Sequence, residues 1–133
     1  MNYVGLILEK EDGKILFQLR DNKLGILNPN KWSLFGGGIE KNEEPRQAAT
    51  RELYEELGIK SNKNQLKLFI TFYGFKKTRY IYKLEDNNFK LKLNEGSSMG
   101  YFSPREMLFK KNVVLSLRLF LLIYPFLNLI VKK

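Results

Sequence analysis

The chain has 133 residues, with 23 Lys and Arg against 14 Asp and Glu, an apolar fraction of 44%, and neither His nor Cys. That length and composition fit one globular domain with a real core. They exclude disulfide scaffolds, thiolate metal centres, cysteine nucleophiles and His-based triads, so acid–base and metal chemistry must come from carboxylates, Lys, Tyr or hydroxyls. The net charge of +9 points to anionic partners: nucleotides, nucleic acid or an acidic membrane surface. The lack of Cys, and a strand-like run starting at Tyr3, lead to the expectation of a cytoplasmic protein without a leader.

In chain order, residues 3–8 and 14–19 read as strands, joined by the hairpin signal Glu11, Asp12, Gly13. A loop is expected from residue 21 to 31, around Gly25 and the Asn28, Pro29, Asn30 turn. Residues 32–35 read as a short strand running into Gly36, Gly37 and Gly38, whose lack of side chains permits close backbone approaches. After Pro45, residues 46–57 carry helical spacing and Gly58 stands where a helix stop belongs. Residues 65–73 and 78–84 alternate as strands do, with a turn at 86–88 and a further strand at 89–93 leading into a loop at 94–98. Ser103, Pro104 and Glu106 predict a helix start with a capping box. A last helix is expected over about 112–124, interrupted at Pro125. The mixture predicts an α/β or α+β domain, a mixed sheet between helices, occupying residues 1–133 as one domain.

Residues 113–131 are apolar apart from Ser116, Arg118 and Asn128, with Tyr124 and Pro125 among them. Arg118 and Pro125 argue against a membrane span. A helix packed on the sheet, or a homodimer interface, is the favoured reading; Lys110, Lys111, Lys132 and Lys133 keep membrane association as the minor one.

Charge is unevenly spread. Between Gly37 and Gly58 stand six acidic and three basic residues, a net −3, which leaves +12 for the remainder. Within the predicted helix, Glu52, Glu55 and Glu56 fall at i, i+3 and i+4, on one stripe. Like charges at that spacing repel, and Glu near a helix C-terminus opposes the helix dipole. Divalent cations would neutralise such a set, and all-oxygen ligands indicate a hard ion, Mg²⁺ or Mn²⁺. An acidic, solvated helix face is the plainer alternative for the triplet taken alone.

The wider spacing decides between them. Gly37, five residues, Glu43, seven residues, then Arg51, Glu52, Leu53, Tyr54, Glu55, Glu56, Leu57, Gly58 and Ile59 match GX5EX7REUXEEXGU, with U aliphatic, at every defined position. The chain resembles the Nudix hydrolase superfamily, with this box at residues 37–59. Trp32 to Gly38 before it, and Tyr101, Phe102, Ser103 after it, are also typical of that family. The resemblance covers residues 3 to about 107.

It implies a Nudix fold and hydrolysis of a nucleoside diphosphate linked to another group, with Mg²⁺ or Mn²⁺. Glu52, Glu55 and Glu56 would hold the metal, with the backbone carbonyl of Gly36 or Gly37. Arg51 would orient Glu52, and Glu43 would support the loop–helix geometry. Bound cations would screen the pyrophosphate and activate water, with Glu52 or Glu95 as general base. Arg20, at the end of the second predicted strand, could reach a phosphate or the leaving group, or be a surface arginine. Phe72, alongside Trp32, Tyr73 and Phe75, could include a stacking platform for a base, and Lys76, Lys77 and Arg79 form a basic turn. The expected substrate is a small nucleotide, either a nucleoside triphosphate or a nucleotide sugar such as ADP-ribose. Dinucleoside polyphosphates and RNA 5′ ends are lesser options. A nucleotide sensor without turnover is the rival reading, and it would be expected to have lost box carboxylates that are all present here.

Overall fold

The structure, a computed structural model, describes residues 2–20, 29–62, 65–84 and 98–131. The expected turn at 86–88, the strand at 89–93, most of the loop at 21–31, and Glu95 lie outside the described residues.

Strands β1 (Tyr3–Leu8) and β2 (Ile15–Leu19) form where alternation predicts them, with Gly13 in the left-handed region at the turn between. The short run after residue 31 is two strands rather than one: β3 (Trp32–Ser33) and β4 (Phe35–Gly38) part at Leu34 and enter different sheets. Helix α1 spans Pro45–Leu57, with Pro45 at its first position, where a missing N–H costs nothing. Gln47 accepts from the Glu44 N–H at 2.8 Å, and Gly58, at φ 69°, closes the helix by donating to the Tyr54 carbonyl at 2.9 Å. Strands β5 (Leu66–Tyr73) and β6 (Thr78–Leu84) then form an antiparallel pair. Strand β7 (Ser98–Phe102) begins at a residue expected in a loop, and helix α2 (Pro104–Leu108) starts with the predicted capping box, Ser103 and Glu106 satisfying each other's N–H groups.

One sheet runs β4-β1-β6-β5, with β1 and β6 parallel and the other pairs antiparallel; the second runs β3-β2-β7. Alternation along β1 shows why the first sheet is covered twice. Val4, Leu6 and Leu8 pack with Ala49, Leu53 and Leu57 of α1, whereas Ile7 joins Phe17, Ile81 and Phe120 on the other side. The arrangement is the expected mixed sheet between helices.

The last helix corrects the expectation. Helix α3 spans Leu115–Val131, starting three residues later than predicted and passing through Pro125. Proline removes one N–H from the ladder and crowds the preceding turn, a penalty of about 3 kcal/mol in a helix interior. Contacts on both sides of Pro125 hold the helix through it. Leu117, Phe120, Leu121 and Tyr124 are buried on the sheet, and the exposed Pro125 ring faces away from that contact. A polar cluster reinforces it: the Tyr124 hydroxyl donates to Glu9 at 2.7 Å, and Lys83 donates to Asn128 at 3.1 Å and pairs with Glu9 at 3.2 Å. Burial, with the Glu9 carboxylate beside it, pushes the Tyr124 phenol well above its ordinary value, so it remains a donor.

Candidate active site

Helix α1 is amphipathic in an unusual way: Ala48, Ala49, Leu53 and Leu57 are buried, and so is Glu56, at 3% exposure. The three box glutamates therefore do not share one equivalent stripe. The Glu56 carboxylate accepts from the Gly36 N–H at 2.9 Å, locking the glycine run to the helix. The side chain of Glu52 lies against Gly37, and that of Glu55 is turned outward, 48% exposed. Single positions on a helix separate these environments, because 100° per residue carries Glu55 past the edge of the buried face while Glu56 stays inside it.

The glycines are needed here for space. A Cβ on Gly36 would stand 2.1 Å from the Val4 carbonyl oxygen, and one on Gly37 would stand 2.4 Å from Glu52 Oε1. Gly36 also has φ 151°, a region that favours glycine.

Arg51 ties the box together. Its Nε donates to Glu43 at 2.8 Å, Nη2 to Glu43 at 3.0 Å and to the Gly38 carbonyl at 3.0 Å, and Nη1 to Glu52 at 2.8 Å and Glu55 at 3.2 Å. Such a fork needs the planar guanidinium; an ammonium could not reach all these oxygens. The arginine is held firmly protonated by Glu43 and Glu52, and its hydrogen bond holds the Glu43 carboxyl below the ordinary range. A depressed pKa contributes stability that is complete above the unfolded-state value of about 4.3 and fades as pH falls toward the lowered value. Glu43→Gln is therefore expected to lower the melting temperature at neutral pH and to flatten its fall below pH 5. Melting curves of the two proteins across pH 3–7 in a chelating buffer check this; parallel curves would show that the pair contributes nothing.

Glu52, Glu56 and Gly36–Gly38 line a cavity of about 890 Å³, within the size range of small-molecule sites. Arg20, Lys77 and Arg79 line it as well, so two carboxylates and three cations face one space. The remaining wall is largely apolar and includes Phe72 of β5 and Ile81 of β6. Phe72 is fixed edge-on against Phe120 at 5.7 Å. The structure thus gathers Arg20, Gly36, Gly37, Glu52, Glu56 and Phe72 at one site, with Arg51 and Glu43 behind the acidic wall. It does not bring Glu55 to the cavity wall, and among the described residues no three acidic side chains converge into a cation cage as they stand.

Of the other aromatics, Trp32 packs against Phe102, and Tyr73 and Phe75 are 83% and 90% exposed, so Phe72 alone of the four lines the cavity. The basic turn divides: Lys77 and Arg79 reach the site, and Lys76 sits over the Phe75 ring instead.

Three contributors were missed. Gln18, 3% exposed, donates to the Leu34 carbonyl at 3.2 Å on the cavity wall. Ser33 presents a buried hydroxyl with no hydrogen-bond partner among the described residues. Ser116, Leu119 and Phe120 make α3 a wall of the site. A polar residue inside an apolar strand or helix was the available signal for Gln18 and Ser116.

The NUDIX domain profile matches residues 1–120. The chain belongs to the Nudix family. The match runs into α3, further than the motifs alone reach. The RNA pyrophosphohydrolase of Bartonella quintana is 41% identical over 63 residues, which cover 45% of this chain and 36% of that protein. Diphosphoinositol polyphosphate phosphohydrolase 2 of Rattus norvegicus is 41% identical over 56 residues, covering 42% of this chain and 31% of that protein. The chain thus spans about a third of the length of these curated relatives. A MutT protein from Methanosarcina mazei superposes with a TM-score of 0.80 at 19% identity, covering 100% of this chain and 96% of that one. That likeness establishes the Nudix fold.

Proposed function

We propose that this Nudix chain, as a single domain, hydrolyses a diphosphate bond in a small nucleotide, a nucleoside triphosphate or a nucleotide sugar. The observation that carries the reading is the composition of one cavity: Glu52 and Glu56 beside the glycine run, Arg20, Lys77 and Arg79 on the same space, and an apolar end containing Phe72. Cationic side chains suit the diphosphate, and the apolar end suits a nucleobase. Gln18 and Ser33 offer polar groups that could hold a base in one orientation. An inositol polyphosphate has no apolar part to fill that end.

The donor set fits a hard divalent cation, Mg²⁺ or Mn²⁺. With neither His nor Cys in the chain, the available ligands are oxygens, and Glu52 and the buried Glu56 present carboxylates at the cavity wall beside the glycine run. Glu52 and Glu56 would hold the ion with the backbone carbonyl of Gly36 or Gly37; Glu55, paired with Arg51 outside the cavity lining, would reach it only if it left that pair. Such an ion supplies charge for the phosphate oxygens and lowers the pKa of water. Arg51 keeps Glu52 aimed at the cavity, Gly36 orients Glu56 through its N–H, and Arg20, Lys77 and Arg79 orient the polyphosphate. Glu52 is the general base offered by the described residues; Glu95 is the other candidate.

RNA 5′ ends are the second reading. The name of the Bartonella relative favours it, and so do the exposed Tyr73 and Phe75 beside Lys76, which could stack on unpaired bases. A panel of nucleoside triphosphates, nucleotide sugars, diphosphoinositol polyphosphate and 5′-triphosphate RNA, compared by kcat/KM with Mg²⁺, separates the readings. Highest turnover on a mononucleotide is expected. Preference for the RNA, lost on Phe75→Ala, would move the assignment to RNA ends, and preference for the inositol compound would overturn the nucleotide reading.

A further inference from the structure

Helix α3 buries one apolar side and leaves a second one bare. Opposite the buried Leu117, Phe120, Leu121 and Tyr124, the residues Leu115, Leu119, Leu122, Phe126, Leu129 and Ile130 are 55–69% exposed. Their spacing of three and four makes them one stripe along the helix. No polar side chain interrupts it. Ser116 lines the cavity, and Asn128 accepts from Lys83. Arg118 donates to the carbonyls of Leu108 and Lys110, at 2.5 Å each, and of Lys111, at 2.9 Å. The polar side chains of α3 thus lie away from the bare side, and an unbroken row of exposed large apolar side chains marks an interaction surface.

Charge selects what covers it. From Met107 to Lys133 the chain has five basic residues and no acidic one. Lys110 and Lys111 precede the helix, and Lys132 and Lys133 follow its last residue directly in the sequence. Pairing two copies along α3 would bring together two segments that carry basic residues and no acidic one, in chains that already carry +9 each. An anionic bilayer surface satisfies the stripe and the lysines together.

We propose that α3 docks in the plane of an anionic lipid bilayer, its stripe in the boundary between headgroups and acyl chains, with the exposed Lys111 and the positive charge of the surrounding sequence drawing it to the headgroups. It lies on the membrane rather than across it. At about 25 Å it falls short of the roughly 30 Å hydrocarbon core, its other side is committed to the protein core, and no described helix is long and apolar enough to cross. Leu119 belongs both to the stripe and to the cavity wall, so docking sets that wall at the lipid surface. The proposal does not depend on which substrate the site takes.

Flotation of the full chain with vesicles tests it, using phosphatidylcholine alone and phosphatidylcholine with phosphatidylglycerol, alongside sedimentation equilibrium without lipid. The expected result is a monomer that floats with the anionic vesicles and binds neutral ones at least about tenfold more weakly. The L122Q/F126Q/L129Q variant, altered only at exposed positions, should melt as the wild type does and remain at the bottom of the gradient. The K111Q/K132Q/K133Q variant should bind anionic vesicles about tenfold or more weakly than the wild type. Failure of the wild-type chain to float, equal binding to both vesicle types, or undiminished binding by the L122Q/F126Q/L129Q variant would overturn the proposal. A lipid-free dimer split by those three substitutions would overturn it too, and would give the face to a second copy.

Discussion

Glu52→Gln and Glu56→Gln are each expected to lower turnover roughly a hundred- to ten-thousand-fold while leaving the protein folded. The amide keeps an acceptor for each local hydrogen bond, from Arg51 to residue 52 and from the Gly36 N–H to residue 56, so packing survives. Only the charge is lost, at the cavity wall where a cation and a reacting water would need it. Glu55→Gln is the internal comparison. Its carboxylate is about half exposed and outside the cavity lining, so its replacement should cost clearly less than either of the others. Steady-state kinetics and circular dichroism of the three variants check the order. Equal losses would mean that Glu55 leaves Arg51 and reaches the reacting centre. Glu95→Gln at the wild-type rate would remove Glu95 from the mechanism and leave Glu52 as the base.

Alanine at Gly36 and at Gly37 should have opposite effects, although both positions belong to one glycine run. At Gly36 the new Cβ meets the Val4 carbonyl oxygen at 2.1 Å and the Gly5 Cα at 3.0 Å. Those are backbone atoms of the paired strand β1, and they cannot yield without parting β1 from β4. With the unfavourable φ added, Gly36→Ala should destabilise the fold by about 2–4 kcal/mol. At Gly37 the obstacle is the end of the Glu52 side chain, which can swing away. Gly37→Ala should keep nearly the wild-type melting temperature and lose turnover by about tenfold or more, because Glu52 is displaced from its place. Urea unfolding and kinetics on both variants separate the two. A stable, active Gly36→Ala protein would show that β4 does not approach β1 this closely.

The Nudix box was legible because its chemistry is written locally. Glycine, arginine and glutamate spacing within 23 residues set the turn, the helix and its charged face, and Gly58 marked the stop. What separates Glu55 from Glu56 was not legible: two adjacent, identical side chains differ only in which one the sheet covers. The rest of the cavity is assembled from segments far apart in the chain. Gln18 and Ser33 come from one sheet, Lys77 and Arg79 from the approach to and body of β6, and Ser116 and Phe120 from α3, and no spacing rule connects them. Helix α3 shows the limit from the other side. Pro125 is a sound local stop signal, overridden by contacts of Phe120, Tyr124 and Asn128 with residues more than forty positions earlier, which local pattern does not contain.

The most direct measurement is product release from nucleoside triphosphates and nucleotide sugars in Mg²⁺, comparing the wild-type chain with the E52Q/E56Q variant, with nucleotide binding followed by calorimetry in parallel. The expected result is nucleoside monophosphate released by the wild type and abolished in the variant. Tight nucleotide binding by the wild type without turnover on any substrate, or equal turnover by the two proteins, would contradict a hydrolytic site built on Glu52 and Glu56.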